Sequence, residues 1–270
     1  MTEPLVSIII PCYNYGHFLT QTLENVADLA YANWECIIVD DGSKDNSGEA
    51  AKVYTGKDER FRYLYQENQG LSAARNTGII NSKGLYVQFL DADDQLDKNK
   101  IFMQAAFLEE HPGVDIVFGD FLYFNSDNPD QKIRGRDKAE HAEEYLKASG
   151  QGIKMAERFC INNFMPVSAP LIRRSIIEKT GLFDTTYTSY EDWQYWFRCC
   201  LQDACFEYLP LHGTETYIRF GHASMMGNKK KMVENGIRIR KFMMPYLPPR
   251  LKSYNKYRLI KLQLRALTGI

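Results

Sequence analysis

Two aspartates separated by one residue, Asp91 and Asp93, stand at the end of an apolar run, Tyr86-Val87-Gln88-Phe89-Leu90. If that run continues as an extended strand, side chains two apart point the same way, and the two carboxylates converge on one ligand. Hard carboxylate oxygens suit Mg²⁺ or Mn²⁺, and such an ion bridges to a diphosphate and neutralises charge as the diphosphate departs. A solvated turn closing a strand produces the same pattern, so Asp-x-Asp gains weight only from its company. A second acidic cluster, Asp40-Asp41-Gly42-Ser43, carries the common Asp-Gly turn signal. It can also read a uracil ring, whose N3 hydrogen lies between two carbonyl acceptors: a carboxylate accepts from N3 and a nearby donor serves a carbonyl. Arg75 can be that donor. On a helix it shares an arc with Leu71, Ala74, Gly78 and Ile79, and an arginine on an apolar face needs an acceptor. A structural ion pair, or a stem that snorkels to solvent, meets that need as well as a nucleotide does.

Further along, Glu191-Asp192 precedes Trp193, Trp196, Phe197, Cys200 and Leu201, an apolar stripe at helical spacing. Both carboxylates therefore sit at a helix start, where the helix dipole favours acidic residues and where a proton acceptor can also stand. His222 follows Tyr217-Ile218-Arg219 in a chain with only five histidines. It is either a structural hydrogen-bonding residue or a neutral imidazole that completes a divalent-metal site with Asp93.

The elements that must position these residues alternate in type. Val6–Ile10 is a short, β-branched apolar run, and apolar residues from Phe18 to Ala27 repeat at helical spacing. Cys36–Val39 predicts a second strand, 45–54 a helix, Phe61–Tyr65 a third strand, Leu71–Ile80 a helix and Tyr86–Leu90 a fourth strand. Such alternation implies a largely parallel sheet covered on both faces, with the ligand site beyond the carboxyl ends of the strands. Pro11-Cys12-Tyr13-Asn14, Asp40 to Ser43 and Asp91 to Asp94 all fall there. The polar stretch from Asn125 to Glu144 predicts an insertion or mobile loop.

At 270 residues, with 44% hydrophobic and 25% charged residues, the chain has the composition of a globular protein. No secretory leader and no apolar run of roughly 18 residues is found, so a cytoplasmic protein is expected. Six cysteines without a Cys-x-x-Cys pair suit neither zinc nor a disulfide framework and are expected to be buried thiols. Net charge is −1, yet the tail from Lys229 to Arg265 is strongly basic, with Glu234 its only acid. That tail is either a solvated helical face or a contact for anionic lipid, a phosphate-bearing substrate or an acidic partner. Nucleic acid is not an expected partner.

Taken together the segments resemble family 2 glycosyltransferases. The resemblance is carried by Val6–Asn14, Val39–Ser43, Gly70–Asn76, Phe89–Asp94, Glu191–Trp193 and Arg219–Ser224, in the family's order and across roughly residues 5–225. It implies an α/β GT-A fold, a Rossmann-like, largely parallel mixed sheet flanked by helices. Residues 1–225 would form the catalytic domain and 226–270 a basic helical extension. It also implies single-displacement inverting transfer from a nucleotide-diphosphate sugar, a UDP-sugar being favoured, to a glycan or lipid-linked acceptor in surface glycan or polysaccharide synthesis. Pro11, Tyr13 and Asp41 would hold base and ribose, with Asn14 and Asp40 supporting that loop and Arg75 contacting the nucleotide. Asp91 would lie near ribose and donor sugar. Asp93 would bind Mn²⁺ or Mg²⁺, His222 would add a metal or diphosphate contact, and Asp192 would be the base, with Glu191 and Trp193 on the acceptor side. The segment departs from the family at Phe220-Gly221, two residues between arginine and histidine where one is common. Neither membrane-spanning helices nor the Gln-x-x-Arg-Trp motif of processive synthases is found, which favours single addition by a soluble or peripheral enzyme, with the basic tail as a contact for the inner membrane face.

Rival readings fit less well. A nucleotidyltransferase needs a glycine-rich basic loop after the first strand, and Pro11-Cys12-Tyr13-Asn14-Tyr15-Gly16 is not one. A dehydrogenase needs Gly-x-Gly-x-x-Gly there. A non-catalytic nucleotide- or glycan-binding protein would have no use for Asp192 as a base.

Overall fold

The computed structural model describes residues 3–133, 148–221 and 229–268. Strand β1 (Val6–Cys12) lies parallel to β2 (Trp34–Asp40), with Val6 opposite Trp34 and Cys12 opposite Asp40, and helix α1 (Gly16–Ala27) crosses between them. Helix α2 (Ser47–Thr55) leads to β3 (Phe61–Tyr65) on the outer side of β2, and α3 (Leu71–Asn81) leads back to β4 (Tyr86–Phe89) beside β1. The unbroken apolar runs follow from burial on both faces of a parallel sheet. Ile8, Ile10, Cys36 and Ile38 meet Leu19, Leu23 and Val26 of α1, while Ile37 and Val39 meet Ala74 of α3. Helix α3 comes closest at Gly78, where a Cβ would stand 2.2 Å from Cγ2 of Ile9. Any side chain there would push α3 off the sheet.

The second half contributes β5 (Gln95–Leu96), α4 (Lys100–Glu110), β6 (Ile116–Phe118), β7 (Phe121–Asn125), β8 (Asn128–Ile133) and β9 (Gly150–Gln151). It continues with α5 (Gly152–Ile161), β10 (Pro170–Arg173), α6 (Arg174–Thr180), α7 (Glu191–Leu201), β11 (Cys205–Tyr208), β12 (Thr216–Phe220), α8 (Lys229–Met243) and α9 (Pro249–Thr268). The main sheet runs β3-β2-β1-β4-β10-β6-β11-β9, made mixed by β10, which is antiparallel to both β4 and β6. A second sheet, β5-β12-β7-β8, stands beyond the end of β4.

Three local expectations change. Strand β4 stops at Phe89, and residues 91–94 form a turn in which the Asp94 N–H donates to the Asp91 carbonyl at 3.0 Å. Alternation along a strand therefore does not set the relation of Asp91 to Asp93. The stretch beginning at Asn125 is not all loop, because the Asn125 side chain accepts from the Asp127 N–H and closes the β7–β8 hairpin; residues 134–147 lie outside the described residues. Beyond residue 228 the chain is helical over its described residues, and Ile239, Met243 and Leu247 join Trp193, Trp196 and Phe197 in the larger core. All six cysteines are free thiols, five of them buried and Cys205 partly so. Among the described residues no helix is long and apolar enough to cross a membrane.

Candidate active site

At the carboxyl ends of β1 and β2 two loops are stitched together. Asn14 takes the left-handed conformation at φ 57°, which asparagine tolerates better than most side chains. Its backbone N–H donates to Ser43 Oγ at 2.9 Å, while its side-chain oxygen accepts from the Lys44 N–H at 2.8 Å. Asp40 is buried and accepts from the Ser43 N–H and the Tyr63 hydroxyl. Asp41, also buried, accepts from the Gln66 amide at 2.7 Å and from the backbone N–H groups of Gln69 and Gly70 at 2.9 and 2.8 Å. It thereby fixes the loop that opens α3. Pro11 is buried inside β1, and Tyr13 stands in front of the loop, 45% exposed.

The acidic turn after β4 is held from four sides. The Thr22 hydroxyl of α1 lies within hydrogen-bond reach of the Ala92 and Asp94 carbonyls. From the loop before β10, Ser168 Oγ donates to Asp94 Oδ2 at 3.0 Å and faces the Asp91 N–H at 3.3 Å. Arg219 in β12 donates its backbone N–H to Asp94 and its Nε to the Asp93 carbonyl, and its other nitrogens reach Ser126 and Gln21. That guanidinium lies 4.5 Å from the ring centres of both Phe18 and Phe124. From beneath, Lys100 Nζ donates to Gln88, whose amide donates to the Ser168 carbonyl. Burial without a carboxylate partner pushes the Lys100 amine well below its ordinary value.

Charge is concentrated here. Burial, then the neighbouring Asp91, raises the Asp93 carboxyl to about 7, and burial with Asp93 and Asp91 raises Asp94 well above its ordinary value. Tyr15 is pushed up to about 12 by burial and by the same three carboxylates. A divalent cation would relieve this repulsion. Among the described residues no group of three or more His, Cys, Asp or Glu could hold a metal unaided. The donor set fits an ion shared with a diphosphate, since Mg²⁺-type sites combine one or two carboxylates with substrate phosphates. His222 lies outside the described residues.

Arg75 connects this turn to the helix start expected to supply the base. It is 1% exposed, and its two terminal nitrogens donate to Asp91 Oδ1 at 2.8 Å and to Glu191 Oε1 at 2.7 Å. Asp91 remains 35% exposed, whereas Glu191 is buried. The arginine thus meets its need for acceptors with carboxylates from two ends of the site. Next to Glu191, Asp192 accepts from the Asn163 amide at 3.0 Å and from the Trp193 N–H at 2.6 Å. Burial first, then Glu191, raises its carboxyl to about 7, against the lowering effect of Asn163, Arg75 and the Trp193 N–H. Trp193 is a core side chain, 5% exposed, its indole N–H donating to the Phe159 carbonyl at 2.7 Å. Ser168 carries no sequence signal. Arg219 carries one, an arginine within an otherwise apolar strand pattern.

A family model described as glycosyl transferase family 2 matches residues 7–181, more than half of the chain. The chain belongs to glycosyltransferase family 2. It is 40% identical over 109 residues to TuaG of Bacillus subtilis, a glycosyltransferase provisionally assigned in its name to teichuronic acid biosynthesis, over 40% of this chain and 43% of TuaG. The chain spans between 18% and 58% of the length of the curated relatives it matches. Among solved structures, Staphylococcus aureus TarS 1–349 in complex with UDP-GlcNAc aligns at a TM-score of 0.70 and 18% identity, over 97% of this chain and 72% of that one. The mannosyltransferase PcManGT of Pyrobaculum calidifontis, in complex with GDP-Man and Mn²⁺, aligns at 0.70 and 16% identity over 100% of this chain and 75% of its own. These likenesses establish the GT-A fold.

Proposed function

We propose that this chain transfers a sugar from a nucleotide-diphosphate donor to an acceptor hydroxyl with inversion, in surface glycan or polysaccharide synthesis. The Asp91–Arg75–Glu191 bridge carries the reading, because a fully buried guanidinium fixes the acidic turn relative to the helix start where Asp192 stands. In this reading the stitched loops at Pro11, Tyr13, Asn14, Asp40 and Asp41 hold the nucleotide, with Asp41 favouring uracil. Asp91 orients the donor sugar. Asp93, with His222, would hold Mn²⁺ or Mg²⁺, which supplies charge neutralisation at the departing diphosphate.

Asp192 takes the proton from the acceptor hydroxyl as it attacks the anomeric carbon from the face opposite the leaving nucleotide. A carboxyl raised to about 7 has a proton affinity suited to that role near neutral pH. Arg75 acts through its two carboxylates, as a positioning residue. The acceptor is a glycan or lipid-linked glycan, and the basic tail would bring the enzyme to the membrane that holds it.

The test is release of UDP or GDP from a panel of nucleotide sugars, with Mn²⁺, Mg²⁺ or EDTA present. Donor-dependent release that EDTA abolishes supports the reading. Tight nucleotide binding with no release from any donor, whatever the acceptor, would replace it with a binding module.

A further inference from the structure

Helix α9 has two faces of opposite character. Its inner face is committed to the fold: Leu251 and Tyr254 pack against the larger core. Asn255 is fully buried, donating to the Arg240 carbonyl at 2.7 Å and accepting from the Arg240 guanidinium at 3.2 Å, while Leu262 lies against Gly236 of α8. On the other side, steps of three and four residues line up Tyr257, Ile260, Leu264 and Leu267. All four are exposed, Leu267 to 83%. At 3.6 residues per turn, Lys252 and Lys256 fall on one shoulder of this apolar stripe and Lys261 on the other, and no acidic residue occurs between Pro249 and Thr268.

We propose that this outer face docks on an anionic lipid bilayer, the helix lying in the headgroup plane with Tyr257, Ile260, Leu264 and Leu267 inserted at the acyl boundary. Helices that lie on membranes combine an apolar stripe with lysine and arginine along its edges, the long stems reaching back to the phosphates. Charge selects this occupant. A second copy of the chain would bring basic shoulders against basic shoulders, whereas an anionic leaflet complements both at once. Tyrosine is at home at the headgroup level. The inference deepens, and rests on, the membrane contact proposed for the basic tail, and it needs none of the donor-site assignments.

The full chain is tested by co-sedimentation with vesicles of phosphatidylcholine, with and without phosphatidylglycerol. Sedimentation is expected with the anionic vesicles only, weakening as salt is raised. The double substitution Ile260→Ser with Leu267→Ser should reduce binding at least about tenfold through lost apolar insertion, and Lys256→Glu with Lys261→Glu should abolish it. Both variants lie on the outer face, so circular dichroism and UDP affinity should be unchanged, which separates this result from the fate of the transferase reading. Three outcomes would overturn the proposal: sedimentation of the Ser variant equal to wild type, no sedimentation by the wild type, or a dimer in light scattering that the Ser variant dissociates, which makes the stripe a contact between copies.

Discussion

The loops after β1 and β2 and the acidic turn are built differently. In the loops, side chains bind backbone within the stretch from the end of β1 to the start of α3: Asn14 to Ser43 and Lys44, Asp41 to Gln69 and Gly70, partners about thirty residues apart. The acidic turn depends on partners from every part of the fold, Thr22 in α1, Ser168 before β10, Arg219 in β12 and Glu191 through Arg75. The first draws its side-chain partners from one contiguous stretch of chain. The second is a joint property of the whole domain.

The sharpest break between the two is Asp192→Asn. It should lower kcat about 10²- to 10⁴-fold while leaving nucleotide affinity as it was, measured by single-turnover transfer and calorimetric UDP binding. If UDP binding fell and turnover survived, the proton would have to go elsewhere. Arg75→Met comes next. It leaves Glu191 buried without its cationic partner, and urea denaturation should show a loss of about 3–5 kcal/mol, together with a reduced but measurable rate of transfer. Smaller is Ser168→Ala, which removes a donor to the buried Asp94 and should cost about 1–3 kcal/mol and weaken metal-dependent donor binding more than metal-free UDP binding. Ser43→Ala is smallest, at about 0.5–1.5 kcal/mol, and should touch nucleotide affinity alone.

The pH profile sharpens the comparison further. Asp192 faces Glu191 and Tyr190 on its own segment, Asn163 from the loop after α5 and Arg75 from α3. Its pKa is raised, so the base form is lost as pH falls through about 7: kcat/KM should be flat above that point and fall tenfold per pH unit below it. Any Arg75→Met protein that folds should show the same limb moved to higher pH, since the guanidinium lowers the Asp192 pKa.

Legibility in the sequence follows this division. The β-α alternation from Val6 to Phe89 matches the observed elements within a few residues, because β1, β2 and β4 are buried on both faces and the crossover helices bury one. The Asp40–Ser43 and Asn14 loops could be found from their letters, since each directly follows an apolar strand pattern. Arg75 was legible as an arginine needing an acceptor, but not its two carboxylates, one of them 116 residues away. Asp-x-Asp was legible as a motif and its geometry was not, because strand pairing ends at Phe89 and the following turn is shaped by Thr22, Ser168 and Arg219. Trp193 read as a neighbour of the base and proved to be core, since the helical stripe places it on the face packed against α5.

Arg219 has one further consequence, for synthesis of the chain. Its guanidinium closes on Gln21, 198 residues earlier, in the same arrangement that holds the Asp93 carbonyl. A chain emerging from the ribosome has the partners of the Asn14 and Asp41 loops once β3 and the start of α3 are out, yet the acidic turn lacks its last clamp until β12 has followed. Chains terminated before β12 would therefore lack the arginine that ties the Asp93 carbonyl to α1.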